Sequence, residues 1–258
     1  VEIADSHAHL DMAEFDGDRR EVLLRAWDGG IRDLLCPAEL TVPESLPRIL
    51  EIKKEFPWVS AAAGIHPHQA ALFSESHLET IRGLARTGQI VAVGEIGIDH
   101  HYNFSPASVQ AETFRAQLRL AQELALPVII HSRNAGQEIV RAVEEEAFGW
   151  GGVLHCFTED SETAGQMIER GFSISFSGIL TFPNARNLRS IAAGLPLDRI
   201  LVETDSPYLV PQTMRGSQKR NEPLFVIETA KLLAELRSLT LEEMAAVARR
   251  NYRSVFKL

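Results

Sequence analysis

The sequence predicts an α/β fold, a (β/α)8 TIM barrel, and three observations carry that expectation. Eight short apolar runs, several rich in Val and Ile, alternate with longer amphipathic segments, as βα units do around a parallel sheet buried on both faces. The length of 258 residues suits one closed barrel, which takes about 250. Polar side chains terminate several of the apolar runs, and that is the end of the strands where barrels of this kind keep their active sites.

In chain order, the runs expected as strands are Glu2 to Ala8, Ile31 to Cys36, Val59 to Ile65, Ile90 to Ile96, Pro127 to His131, Gly152 to His155, Phe172 to Phe176 and Ile200 to Asp205. Helical patterns lie between them. After the fourth run, Ser105-Pro106 offers a cap and first turn, and Phe114, Leu118, Ala121 and Ala125 recur at helical spacing. Asp160 is placed to cap the helix after the sixth run. Near the end, Thr240 and Glu243 have the spacing of a capping box ahead of a last helix. An open doubly wound sheet usually has fewer strands, and its GxGxxG fingerprint after the first strand is missing.

Residues 1–258 contain no low-complexity tract, short repeat or linker long enough to separate domains, so a single domain is expected. The chain is 45% hydrophobic and 24% charged, an ordinary globular balance. No stretch approaches the roughly 20 apolar residues of a membrane span, and a motif-bearing strand begins almost at once, so no signal peptide is expected ahead of the fold. Cys36 and Cys156 are too few for a disulfide framework, so reduced thiols in a cytoplasmic protein are expected. A monomer is expected, because no heptad or long apolar surface run stands out. The net charge of −9 argues against strong non-specific binding to a polyanion. It leaves a nucleic-acid substrate open, because bound divalent cations would cancel carboxylates locally.

The ends of the runs hold metal-binding residue types. The first ends in DSHAHL, where His7 and His9, two apart, face the same way and can share one ion. Glu95 ends the fourth run, His131 the fifth, His155 the sixth and Asp205 the eighth. Four histidines and two carboxylates exceed the needs of one tetrahedral ion. They suit two divalent ions with a water held between them: His7, His9 and Asp205 on one, His131 and His155 on the other, and Glu95 bridging. A barrel so equipped is of the metal-dependent hydrolase type. The imidazole-rich set would hold zinc, manganese or iron more readily than magnesium.

The motifs DSHAHL, GIHPH, GEIGID, PVIIHSR, HCF, GFSISFSGILTFPN, ETDSPYL, RGSQKRNEP and NYRSVF follow one another nearly end to end. In that order and spacing the chain resembles the TatD family of metal-dependent deoxyribonucleases, within the amidohydrolase-like superfamily. The resemblance implies hydrolysis of DNA phosphodiester bonds with divalent ions, magnesium as well as zinc-like ions. With the two-ion site read above, a nuclease acting from an end or on single strands with zinc, magnesium or manganese is expected. Its ligand pattern falls on the same His7, His9, Glu95, His131, His155 and Asp205. Many related barrels carry a modified lysine where this chain has Glu95.

The resemblance also makes His66 a contact to the substrate phosphate, with His68 as scaffold. Arg133, two residues past His131, would clamp a phosphate oxygen. Asp205 is expected to take the proton from the attacking water. Glu203, on the same side of the strand, would orient a histidine ligand or tune Asp205. The loop Arg215 to Asn221, with Lys219 and Arg220, would follow a nucleic-acid backbone, although Asn221 also suits a helix cap. His100 and His101 depart from the family's usual aromatic residues and would offer at most an extra metal contact; Asn134, HCFTED and the long RGSQKRNEP loop also depart from it. Two other functions remain: an amidohydrolase, esterase or deacylase acting on a small molecule through the same site, and a non-catalytic metal-binding scaffold. The RG…NEP loop and the absent lysine favour the nuclease, and six converging ligands count against a scaffold.

Overall fold

Eight parallel strands pair in strict chain order in a computed structural model describing residues 1–258. They are β1 (Ile3–Asp5), β2 (Ile31–Glu39), β3 (Val59–Gly64), β4 (Ala92–Asp99), β5 (Val128–Arg133), β6 (Gly152–Leu154), β7 (Phe172–Phe176) and β8 (Ile200–Val202). The helices are α1 (Arg19–Asp28), α2 (Ser45–Glu55), α3 (Glu75–Arg86), α4 (Ala107–Leu124), α5 (Gly136–Glu145), α6 (Ser161–Glu169), α7 (Arg186–Gly194), α8 (Val226–Arg237) and α9 (Leu241–Phe256). Strand and helix alternate as far as α8, with α9 following it directly, so each crossover returns to lay the next strand beside the last. The fold is the expected (β/α)8 TIM barrel. No helix is long and apolar enough to cross a membrane.

The barrel closes where β1 meets β8, and closure is made by residues just beyond both strands. Ser6 N–H donates to Val202 O at 3.0 Å, Asp205 N–H to His7 O at 2.9 Å, and His9 N–H to Ser206 O at 2.8 Å. These bonds occupy backbone groups that an open edge would leave unpaired. β1 therefore stops as a regular ladder at Asp5 and β8 at Val202, short of the expected Ala8 and Asp205; only Ala8 and Ser206 form a further bridge. β4, by contrast, runs on from the expected Ile96 to Asp99.

Apolar packing forms two layers. Inside the barrel, Ala4, Leu35, Ala62, Ala92, Ile129, Val153 and Leu201 meet Tyr252 and Phe256 of α9, which plug the N-terminal end. A much larger cluster fills the space between strands and outer helices. Asp160 caps α6 by accepting Thr163 N–H at 2.8 Å, and Thr240 and Glu243 form the capping box of α9. Ser105 does not cap α4, which starts at Ala107 without a side-chain cap. Its hydroxyl instead donates to His68 O at 2.9 Å and accepts Ala71 N–H at 3.1 Å, binding two mouth loops together.

Candidate metal centre

His7, His9, Glu95, His131, His155 and Asp205 meet at the C-terminal mouth of the barrel. Alternation brings most of them there: Ile129 and His131, Val153 and His155, and Leu201, Glu203 and Asp205 share inward-facing parities, with the apolar member below. The first strand behaves differently. Ser6 and His7 both reach the interior, Ser6 to Ser175 and His7 to Glu95, because the chain leaves the regular ladder after Asp5.

Glu95 is buried at the centre, with its two oxygens facing different partners. Oε2 lies 3.2 Å from His7 Nε2 and 3.6 Å from His9 Nε2. Oε1 lies 2.7 Å from His155 Nε2 and 3.0 Å from His131 Nδ1. Asp205 Oδ1 stands 3.3 Å from His9 Nε2 and 3.9 Å from His7 Nε2. The imidazoles thus divide between the two oxygens of one carboxylate, His7 and His9 at Oε2 and His131 and His155 at Oε1.

The charges are tightly interlocked. Burial opposes ionisation of Glu95, but the imidazoles of His155, His66 and His7 and the hydrogen bond from His131 hold its carboxyl well below the usual range. Burial likewise disfavours a charged His9, yet the hydrogen bond and charge of Asp205 push it up to about 9. His7 is lowered, first by burial and then by the neighbouring His155.

Protons satisfy this arrangement poorly. His7 Nε2 and His9 Nε2 face each other at 3.1 Å, and both face Glu95 Oε2, so several lone pairs compete for few hydrogens. Two of the donor groups, His7 with His9 and Glu95, and Glu95 with His131 and His155, keep their ligand atoms within 4.8 Å of one another. A divalent cation would satisfy nitrogen and carboxylate lone pairs together. The residues present fit metal.

Several neighbours aim these donors. Glu203, fully buried, accepts from His155 Nδ1 at 3.2 Å and from Cys156 N–H at 2.6 Å, leaving His155 Nε2 for the centre. Asp99, which the sequence reading overlooked, faces His131 Nε2 at 3.0 Å and His68 Nε2 at 2.9 Å through one oxygen, while the other accepts the amides of His101 and Tyr102. Asp5, also overlooked, accepts His7 N–H, Thr204 N–H and the Thr204 hydroxyl, tying the ends of β1 and β8 together. Both aspartates stand inside motifs, GEIGID and DSHAHL, the one signal that marked them.

Other sequence-predicted residues separate into those at the mouth and those elsewhere. Burial pushes His66 down to about 4, and its Nδ1 accepts His68 N–H at 3.1 Å. The neutral ring therefore carries its proton on Nε2, 3.2 Å from Glu95 Oε1. Arg133 lies over the Tyr102 ring at 5.0 Å with no carboxylate partner. Arg215 is exposed and stacks on Phe182 at 3.9 Å. Arg220 is committed to Asp18 at 2.7 Å and to the Phe15 ring. Asn221 is a correction: it is fully buried, its amide donates to Thr204 O at 2.9 Å and its oxygen accepts Glu222 N–H. It braces the β8 turn and cannot reach a substrate. His100 is paired with Glu138 at 2.8 Å, and neither it nor His101 joins a donor group.

Residues 4–257 match the family model described as TatD related DNase. The chain is 38% identical over 255 residues to uncharacterized metal-dependent hydrolase YabD of Bacillus subtilis (strain 168), covering 98% of each chain. It is 34% identical over 263 residues to the 3'-5' ssDNA/RNA exonuclease TatD of Pantoea vagans (strain C9-1), covering 98% of this chain and 99% of that one. The crystal structure of YJJV, a TatD homolog from Escherichia coli K12, matches with a TM-score of 0.91 at 30% identity, covering 99% of this chain and 98% of the other.

Proposed function

The chain belongs to the TatD related DNase family, whose members here are metal-dependent hydrolases, and from that premise we propose that it hydrolyses phosphodiester bonds of DNA, at the ends of single strands. The observation that carries this reading is the two-sided setting of Glu95, with His7 and His9 at one oxygen and His131 and His155 at the other. A centre divided in this way suits two cations, and paired cations can steady both the attacking and the leaving oxygen of an in-line displacement at a phosphate. The printed name of the Pantoea relative, an exonuclease on single-stranded DNA and RNA, supports the same substrate class.

In this reading His7, His9 and Asp205 would hold one divalent ion, His131 and His155 the other, and Glu95 both; zinc and manganese suit the imidazoles better than magnesium. When bound, such ions supply Lewis acidity for activating water and for stabilising charge on the phosphate. The protein's own groups do the rest. Asp205, held ionised by the hydrogen bond and charge of His9 against the effect of burial, takes the proton of the attacking water, and that proton is then available to the departing alkoxide. The Nε2–H of His66, directed at Glu95 Oε1, would turn to a phosphate oxygen once cations engage that carboxylate, and the unpaired guanidinium of Arg133 offers a second, charged contact. Glu203 keeps His155 in the tautomer that leaves Nε2 free. Arg215 and Lys219, both exposed, would follow the backbone beyond the scissile bond.

The test is incubation with end-labelled single-stranded DNA, separately with magnesium, manganese and zinc. We expect progressive shortening that stops with chelator and slows by about 100-fold or more in Asp205→Asn. DNA left intact with all three ions, alongside turnover of a small amide or ester, would overturn the reading in favour of an amidohydrolase.

A further inference from the structure

Tyr102 and Phe104 stand in the loop between β4 and α4 and are 48% and 69% exposed. Their rings stack on each other, with centroids 5.5 Å apart and planes within 8°. Large apolar rings left side by side in water are unusual unless something covers them. A mobile surface loop does not account for them, because the backbone beneath is held from several directions. Asp99 accepts the amides of His101 and Tyr102 at 2.8 and 2.9 Å. Gln110, itself fully buried, accepts Asp99 N–H and donates to Asp99 O and Ser105 O. Ser105 closes the loop onto His68. Buried polar groups thus fix a loop whose aromatic side chains remain in solvent.

The pair is also contiguous with the metal centre. The His68 ring meets Tyr102 edge-on at 5.4 Å and Phe104 at 4.9 Å. On its other side it lies 4.3 Å from the His66 ring and 6.0 Å from the His131 ring. Arg133 completes the group, its guanidinium 5.0 Å from the Tyr102 ring centroid. A phosphate at the centre would therefore have a charged contact and two fixed, exposed aromatic rings beside it.

We propose that Tyr102 and Phe104 form a stacking platform for an unpaired nucleobase of the strand whose phosphate lies at the metal centre, with Arg133 joining base and phosphate recognition. The proposal rests on the nuclease reading above and names what it leaves open, how the site selects single strands. A base inside a duplex has both faces covered and a terminal one is held in place by its pair, whereas an unpaired end base is free to swing out and lay a face on the rings. Stacking on aromatic rings is indifferent to base identity, because every base has a π-face. The site would then discriminate by strandedness and not by sequence.

The experiment uses two short single-stranded oligonucleotides, one ending in 2-aminopurine and one with that terminal sugar abasic. Fluorescence is titrated with chelated protein, and cleavage is measured with metal restored, for the wild type and for Phe104→Ala, Tyr102→Ala and the ring-keeping Phe104→Tyr. We expect quenching of 2-aminopurine by the wild type and by Phe104→Tyr and its loss in the alanine variants. KM for the base-ended strand should rise about 10-fold in Phe104→Ala, with kcat little changed and KM for the abasic strand unaltered. If the wild type degrades both strands but Phe104→Ala and Tyr102→Ala retain wild-type quenching and preference, the platform is refuted while the nuclease stands. If the wild type neither quenches nor cleaves with any ion, both readings fall.

Discussion

Asp99 serves two imidazoles through a single oxygen, and the consequence for His131 is chemical. A carboxylate at 3.0 Å from Nε2 keeps a proton on that nitrogen, so that when a cation displaces the Nδ1 proton shared with Glu95, it is the Nδ1 lone pair that is offered to it. Burial opposes the ionised form of Asp99, but the bonds from His131, Tyr102, His68 and His101 hold its pKa well below the usual range. Asparagine has nearly the same shape and can still accept the two amides, but its NH2 would then confront the Nε2–H of His131. The proton would move to Nδ1, where a metal must bind. Asp99→Asn should therefore weaken metal binding by about 10- to 100-fold with little change in melting temperature of the metal-free protein. Calorimetric metal titration beside a thermal melt tests this; equal affinity in variant and wild type would show that Asp99 only holds the loop.

At the scale of the strand and its loop, what a sequence reveals depends on whether the signal is local. His131 and His155 were legible because an imidazole ending an apolar run is costly without a partner, and that contrast sits within a few residues. The tautomer of His131 was not, because it depends on Asp99, 32 positions away, across a pair of strands. Asn221 misled for the same reason: its neighbours in sequence suggested a basic substrate loop, while its partner is Thr204 O in the barrel seam. The first-strand histidines were found by an alternation rule that the chain in fact abandons after Asp5, and spacing two apart survived the change. Gly97 shows the opposite case, a residue type whose reason lies wholly in the pairing. It has φ +146°, and a Cβ there would lie 1.9 Å from His131 O on β5. Gly97→Ala should push β4 and β5 apart next to the ligand, costing about 2–4 kcal/mol and reducing metal affinity as well. A variant that melts like the wild type and binds metal equally well would contradict this close approach.

Across the whole molecule, the two ends of the barrel divide the work. The C-terminal mouth concentrates buried carboxylates and imidazoles that repel, desolvate and compete for protons until a cation joins them. The N-terminal end is apolar: Tyr252 and Phe256 enter among Ala4, Leu35, Ala62, Ala92, Ile129, Val153 and Leu201, where three alanines leave room for the two rings. α9 is fixed in this position by polar contacts to the strands it covers. Asn251 donates to Leu197 O at 2.7 Å and Ile200 O at 2.8 Å, and Arg249 pairs with Asp33 of β2 at 2.7 Å. The closing motif NYRSVF is thus a floor for the barrel, remote from the chemistry, and its loss should affect stability and catalysis differently. Tyr252→Ala removes a fully buried ring and should cost about 3–5 kcal/mol, lowering the melting temperature by on the order of 10 °C. Well below that temperature the folded variant should bind metal and cleave its substrate as the wild type does, since the floor touches no donor at the mouth. A thermal melt compared with kcat at low temperature separates the two quantities. If catalysis falls in the fully folded variant, the ends are mechanically coupled through the interior layer, and the mouth depends on packing that lies beneath its ligands.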